Sequence, residues 1–210
     1  MSPSPIVVFL EPSDLQLAVN FLDDFLVIKV SNSEMCQKVW QQASWLSAHY
    51  HLVLGVIRQE WKESSNYFSQ FYHLPHETPQ LVHISKGWLE STWTGKEALN
   101  AHLNEEKFTS VETRKSKLYE FLAFRLLGSV PEMTAGTEVW HQKWLNEWIE
   151  LVEGAHFQSP IKERIESFKL KWYPLFQSSW SEFSLSNRAL FVKEAIELKE
   201  LWEGFHGSKR

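Results

Sequence analysis

Two stretches of this chain hold side chains able to do chemistry. The first is Ser31-Asn32-Ser33-Glu34-Met35-Cys36, which contains the only cysteine. A cysteine attacks as its thiolate, and the thiolate is favoured at the first positions of a helix by free N–H groups and the dipole. Ser31 and Glu34, three residues apart, fit a capping box, so the spacing predicts a helix start at Ser31. On that register Cys36 falls past the first turn, and Glu34 close by opposes a second negative charge. Cys36, Val39, Trp40, Ala43 and Leu46 also share one helical stripe, the usual setting of a small core residue. The residue pattern alone therefore favours a structural thiol over a nucleophile. The second stretch is His76-Glu77-Thr78-Pro79-Gln80. A polar, turn-prone run ends at Pro79, and the β-prone run Leu81 to Ile84 follows at once. A proline can open a strand because it lacks the N–H that an inner ladder position needs. Its peptide bond is either an ordinary trans bond at a loop end or a cis bond held for a reason.

Composition narrows the function classes. The chain has 210 residues, 43% of them apolar, enough for one large or two small cores. Its formal charge is -5 with no basic block, which argues against nucleic acid as a partner. No apolar run approaches 18 residues, so no membrane span is expected. Met1-Ser-Pro-Ser-Pro has no positive n-region, and Ile6 to Leu10 is too short for a signal core, which makes the cytoplasm the expected location. One cysteine cannot build a disulfide framework or supply the usual thiolates of a zinc site. None of the nine histidines has zinc-site spacing, so neither a metal nor another cofactor is expected. No dinucleotide fingerprint, phosphate loop or nucleophile elbow is present.

The elements that must position these residues can be read in order. Ile6 to Leu10 reads as a strand, and Asp14 to Asp23 as a helix capped by Ser13. Phe25 to Val30 and Leu52 to Ile57 are nearly continuous apolar runs, the mark of strands buried on both faces. Between them a helix runs to about Ala48. Ser64 to Tyr72 reads as a helix. Leu81 to Ser85 and Trp88 to Thr92 read as a hairpin turning at Lys86-Gly87, and Lys96 to Leu103 as a closing helix. A strand–helix–strand unit implies a parallel pair with a right-handed crossover, and the late hairpin adds antiparallel strands. This is the element order of the thioredoxin fold.

Residues 12–103 resemble the monothiol bacilliredoxin family. The Ser65-Asn66-Tyr67 helix start is similar to the family pattern. His76-Glu77-Thr78-Pro79-Gln80 resembles its His-Glu-Ser-Pro-Gln with one conservative change. Lys29 and Ser31 keep the places of its Lys-His-Ser, and Ser85-Lys86-Gly87 falls at its hairpin. The resemblance implies a cis-proline at Pro79 facing the helix start at Ser31, Ser33 and Glu34. It also implies a substrate strand held by Thr78, with His76 and Glu77 beside it. The implied activity is thiol–disulfide exchange on mixed disulfides of protein thiols with bacillithiol, a low-molecular-weight thiol. The family's cysteine is followed by proline. An ungapped alignment from Lys29 puts Glu34 at that cysteine and Met35 at the proline; a two-residue insertion instead aligns Ser33-Glu34-Met35-Cys36 with the family's serine-x-x-cysteine. Both alignments remain open. So do two functions: a redox protein with Cys36 as nucleophile, or a binding and adaptor module that keeps the groove beside Pro79 without the chemistry.

Beyond Lys107 no β-run recurs. Helices are expected from Ser110 to Leu127, from Thr137 to Gly154, from Ser159-Pro160 onward with an end or kink at Pro174, and after Ser186 with Gly204 and Gly207 beyond its end. Six of the eleven tryptophans lie in this half, with Trp140, Trp144 and Trp148 on one stripe. Such a stripe belongs in a core or a contact between domains, or lines an aromatic pocket. The reading is a thioredoxin-like α/β domain over 1–106, followed by an all-α, Trp-rich bundle of four helices over 107–210. The sequence sets no oligomeric state.

Overall fold

The computed structural model describes residues 6–9, 11–131, 138–177 and 184–207. The expected cap at Thr137 lies outside the described residues, as does the side chain of Trp140. The chain divides into two compact units, Met1–Leu118 and Tyr119–Arg210. The first unit therefore runs on past the expected junction near residue 106 into the following helix. Among the described residues no helix is long and apolar enough to cross a membrane.

The first unit is built on a mixed five-stranded sheet. Its strands are β1 (Ile6–Phe9), β2 (Asp24–Val30), β3 (Val53–Arg58), β4 (Gln80–Ser85) and β5 (Trp88–Thr94), in spatial order β1-β3-β2-β4-β5. β3 runs parallel to both β1 and β2, and β4 runs antiparallel to β2 and β5. Helices α1 (Pro12–Phe21), α2 (Glu34–Tyr50) and α3 (Lys62–Phe71) make the crossovers. This strand–helix–strand unit followed by a helix and a hairpin is the thioredoxin-like order expected. Leu26 and Ile28 of β2, Leu54 and Val56 of β3 and Leu81 of β4 meet Val39, Ala43 and Leu46 of α2 in one buried cluster. The intervening β2 residues Phe25, Val27 and Lys29 are buried too, on the opposite face. That is why β2 reads as an unbroken apolar run interrupted only by a lysine.

Several local expectations shift. Helix α1 is capped by Glu11, not Ser13: Glu11 and Asp14 form the reciprocal box, with Pro12 at the first position. Helix α3 begins at Lys62, so the Ser65-Asn66-Tyr67 stretch is helix interior, and Ser65 and Ser69 are buried. The closing helix is only a 3-10 turn over Gly95–Asn100. Its three-residue period puts Ala98 and Ala101 on one side, where both join the α2 cluster. Gln42 Nε2 donates to Ala101 O at 3.1 Å and fixes the chain as it leaves the turn.

Helix α4 (Val111–Leu127) starts with Ser110 Oγ accepting from Thr113 N–H at 3.2 Å. The second unit contains the end of α4 together with α5 (Glu138–Gly154), α6 (Ile161–Gln177) and α7 (Leu185–Gly207). Its interior is aromatic. Trp144 and Trp148 stack at 6.0 Å, Phe168 meets Trp148 edge-on at 5.5 Å, and Phe191 packs against Trp144, Trp172 and Phe176. Trp144, Trp148, Trp172 and Trp202 are all buried. Helix α6 continues through Pro174 to Gln177, its last turn anchored by buried Phe176. The turn before it holds a cis Ser159–Pro160 peptide, and the Ser159 hydroxyl donates to Glu163 Oε1 rather than capping the helix. Ser184, not Ser186, caps α7 by accepting from Asn187 N–H at 3.2 Å. The helix then runs through Gly204, because Trp202 and His206, one turn apart, both hydrogen-bond Glu120.

Candidate functional site

The C-terminal end of β2 leads into Ser31 and then α2. The N-cap of α2 is Ser33, in extended backbone, with its Oγ accepting from Cys36 N–H at 3.2 Å. This corrects the expected start at Ser31, and it moves Cys36 from beyond the first turn to the third helical position. The reason is local. Ser31 is already engaged, its backbone N–H donating to Cys36 Sγ at 3.2 Å and its hydroxyl 3.3 Å from the same sulfur. Glu34 does not face the thiol as expected; it is exposed and pairs with Lys38 one turn on, at 2.8 Å.

The sulfur thus sits in a nest of donors at a helix start. Burial pushes the thiol up, but hydrogen bonds from the side chains and backbone of Ser31 and Ser33 outweigh it and hold Cys36 below the ordinary thiol value. Cys36 is nevertheless only 2% exposed. It belongs to the buried stripe of α2 with Val39, Ala43 and Leu46, as its spacing implied.

The second stretch comes to the same place. The Thr78–Pro79 peptide is cis, and β4 begins at Gln80. Thr78 Oγ1 lies 3.4 Å from Ser31 Oγ and 3.3 Å from Gln59 Oε1. A hydroxyl has one hydrogen and two lone pairs. Thr78 therefore donates to Gln59 Oε1 or to Ser31 Oγ but not to both, and when it donates to Ser31 the Ser31 hydrogen stays free for the sulfur. His76 and Glu77 are exposed on the loop before β4, and among the described residues they join neither this network nor an ion pair. The structure therefore gathers Ser31, Ser33, Cys36 and Thr78, and leaves Glu34, His76 and Glu77 at the surface.

Sequence reasoning missed Gln59. It lies directly after β3, and its backbone N–H donates to Val30 O at 2.8 Å, which carries the side chain to the β2 end. Its only signal was a polar residue at the exit of a buried parallel strand. Lys29 enters the sequence reading only as a position shared with the family pattern. It is 1% exposed, its Nζ donates to Ser69 Oγ at 3.1 Å, and burial holds its pKa below the ordinary lysine value. Its cross-strand partner Gln80 is fully buried, with neither amide atom partnered. Among the described residues no cluster of three or more histidine, cysteine or acidic side chains can hold a metal.

No family model matches the chain, and no curated protein matches it. Among solved structures, a protein provisionally described as an oxidoreductase with a thioredoxin fold is similar at 13% identity, over 45% of this chain and 88% of that one, with a TM-score of 0.41.

Proposed function

We propose that this protein is a thiol–disulfide exchange protein with Cys36 as its nucleophile, acting on mixed disulfides between protein thiols and a low-molecular-weight thiol of the bacillithiol kind. The observation that supports it best is the double contact of Ser31, through N–H and hydroxyl, on a sulfur in the first turn of α2 beside Thr78. The Cys36 thiolate attacks the small-thiol sulfur of the mixed disulfide. A new S–S bond forms on Cys36 as the old one breaks, and the protein thiolate leaves and takes a proton from water. A second small thiol then attacks the Cys36 adduct, restoring the thiolate and releasing the symmetric small disulfide. No further oxidant or reductant is needed. Thr78 would align the substrate chain by main-chain pairing next to β4.

One observation favours a second reading. A sulfur that is 2% exposed must be uncovered before it reacts. A protein that only binds would keep the groove beside Pro79, with His76 and Glu77 displayed at its rim, and leave the thiol as packing. The rate of Cys36 alkylation in the native protein from pH 5 to 9 separates the two. The redox reading expects reaction without unfolding, with a midpoint below about 8.5, the free-thiol value. It also expects Ser31→Ala to raise that midpoint and to slow labelling at pH 7 by roughly threefold or more, as a charge-assisted hydrogen bond is lost. Labelling only on unfolding, at the same rate in both proteins, would leave the binding reading.

A further inference from the structure

The other end of the sheet carries a second polar group that thiol exchange does not use. β2 is entered at Asp24 and left at Val30, so Asp24 lies about 20 Å along the strand from the Cys36 end, at roughly 3.3 Å per residue. Asp24 pairs with Ser85, Leu26 with His83, and His83 in turn with Ser91. Cross-strand partners and residues two apart share a face, so Asp24, His83, Ser85 and Ser91 stand together on one side of the sheet. His83 Nε2 lies 2.9 Å from Asp24 Oδ1, with the two side chains 5% and 3% exposed. Phe108 steadies the imidazole edge-on at 5.6 Å. All five residues line a cavity of about 760 Å³, within the span of small-molecule sites.

Stability alone gives little reason for this pair, since buried charged pairs can often be replaced by apolar residues of similar volume at no loss. Its value is chemical. A carboxylate only accepts, so the shared hydrogen belongs to Nε2, which leaves the other ring nitrogen for a ligand. Ser85 and Ser91 add hydroxyls that both donate and accept. The cavity's formal charges cancel, Asp24 and Glu90 against Lys86 and Lys107, and Glu90 and Lys107 already pair at 2.8 Å. With its formal charges balanced, such a lining suits a neutral ligand rich in hydrogen-bonding groups. At the rim stands Trp88, 79% exposed. The negative face of an indole attracts the weakly positive C–H groups of a saturated ring.

We infer that this cavity binds a neutral, polyhydroxylated small molecule of the pyranose type, stacked on Trp88 and hydrogen-bonded by the Asp24–His83 pair with Ser85 and Ser91. The inference is independent of the thiol chemistry. Saturation-transfer difference NMR on the full chain, with glucose and N-acetylglucosamine as probes, tests it. Ring protons of at least one sugar should receive saturation, and Cys36→Ser should leave that unchanged. Trp88→Ala, which removes an exposed side chain and so leaves the fold intact, should weaken binding at least tenfold. His83→Phe should abolish it. Absence of transfer to either sugar, transfer to adenosine alone, or binding undiminished in Trp88→Ala would overturn the assignment.

Discussion

Lys29 sets the sharpest energetic problem at the scale of single residues. Its ammonium is buried on the α3 face of β2, where it donates to Ser69 Oγ. Its cross-strand partner Gln80 is buried with an unpartnered amide. Burial lowers the Lys29 pKa in the folded chain. Between that lowered value and the unfolded value of about 10.4, the unfolded chain holds a proton that the folded chain has released. Stability therefore rises with pH through that window, and below it the cost of the buried charge is constant. Lys29→Met removes the charge at similar volume. The variant should be more stable than the parent near pH 7, by about 1–2 kcal/mol on the scale of other buried-charge replacements. Its advantage should shrink as the pH approaches 10. Urea unfolding midpoints at pH 6, 8 and 10 measure this, and a pH-independent difference would mean that Lys29 keeps its proton in the folded chain up to pH 10.

At the scale of elements, the tryptophans of α5, α6 and α7 differ in what holds their indole N–H. Trp172 Nε1 donates to Glu194 Oε2 at 2.8 Å and Trp202 Nε1 to Glu120 Oε1 at 3.2 Å, whereas Trp148 Nε1 is buried with no hydrogen-bond partner. Phenylalanine in place of Trp148 removes an unsatisfied donor, which offsets part of the lost packing. In place of Trp172 it strips a partner from a carboxylate, where a hydrogen bond to a charged group is worth about 1.5–3 kcal/mol. Chemical unfolding should find Trp172→Phe the more damaging, by at least about 1 kcal/mol; the reverse order would show that ring packing alone sets the helix contacts. The helices themselves were legible as apolar stripes between serines and glycines, and the strands of the first unit as apolar runs, because periodicity reports burial directly. Which serine caps was not legible. Ser31 and Ser33, or Ser184 and Ser186, are equally good cap residues two positions apart, and the choice rests on tertiary partners. Ser31 is drawn to the Cys36 sulfur, which leaves Ser33 to cap. That one shift overturns the register part of the sequence-based argument on Cys36, by returning it to the first turn, while the buried stripe stands. Thr78 was legible as a site residue from its place before Pro79; Gln59 was not, since nothing local marks a side chain that acts across two strands.

At the scale of the whole molecule, the first compact unit runs into α4 and stops at Leu118. Its last stretch is the start of α4, and the residue that ties this stretch down is Arg114. The guanidinium donates through Nε to Tyr50 O at 3.0 Å and through Nη1 to Thr109 O, and it lies over Phe108 at 5.3 Å. Tyr50 ends α2, so Arg114 supplies a donor to one of the last carbonyls of the helix that carries Cys36. Lys117 adds an ion pair to Asp23, just before β2. A chain cut at residue 106, where the composition changes, loses all of these contacts; a chain cut at 118 keeps them. Two or more hydrogen bonds from a charged group amount to about 3 kcal/mol or more. In a domain of this size that corresponds to a melting point lower by roughly 10 °C or more. The fragment 1–118 should melt cooperatively, and 1–106 should melt lower or lose its cooperative transition. Arg114→Ala in the full chain should reproduce part of the loss without any truncation. Equal melting of the two fragments would place the end of the first folding unit before α4, where the sequence alone had drawn it.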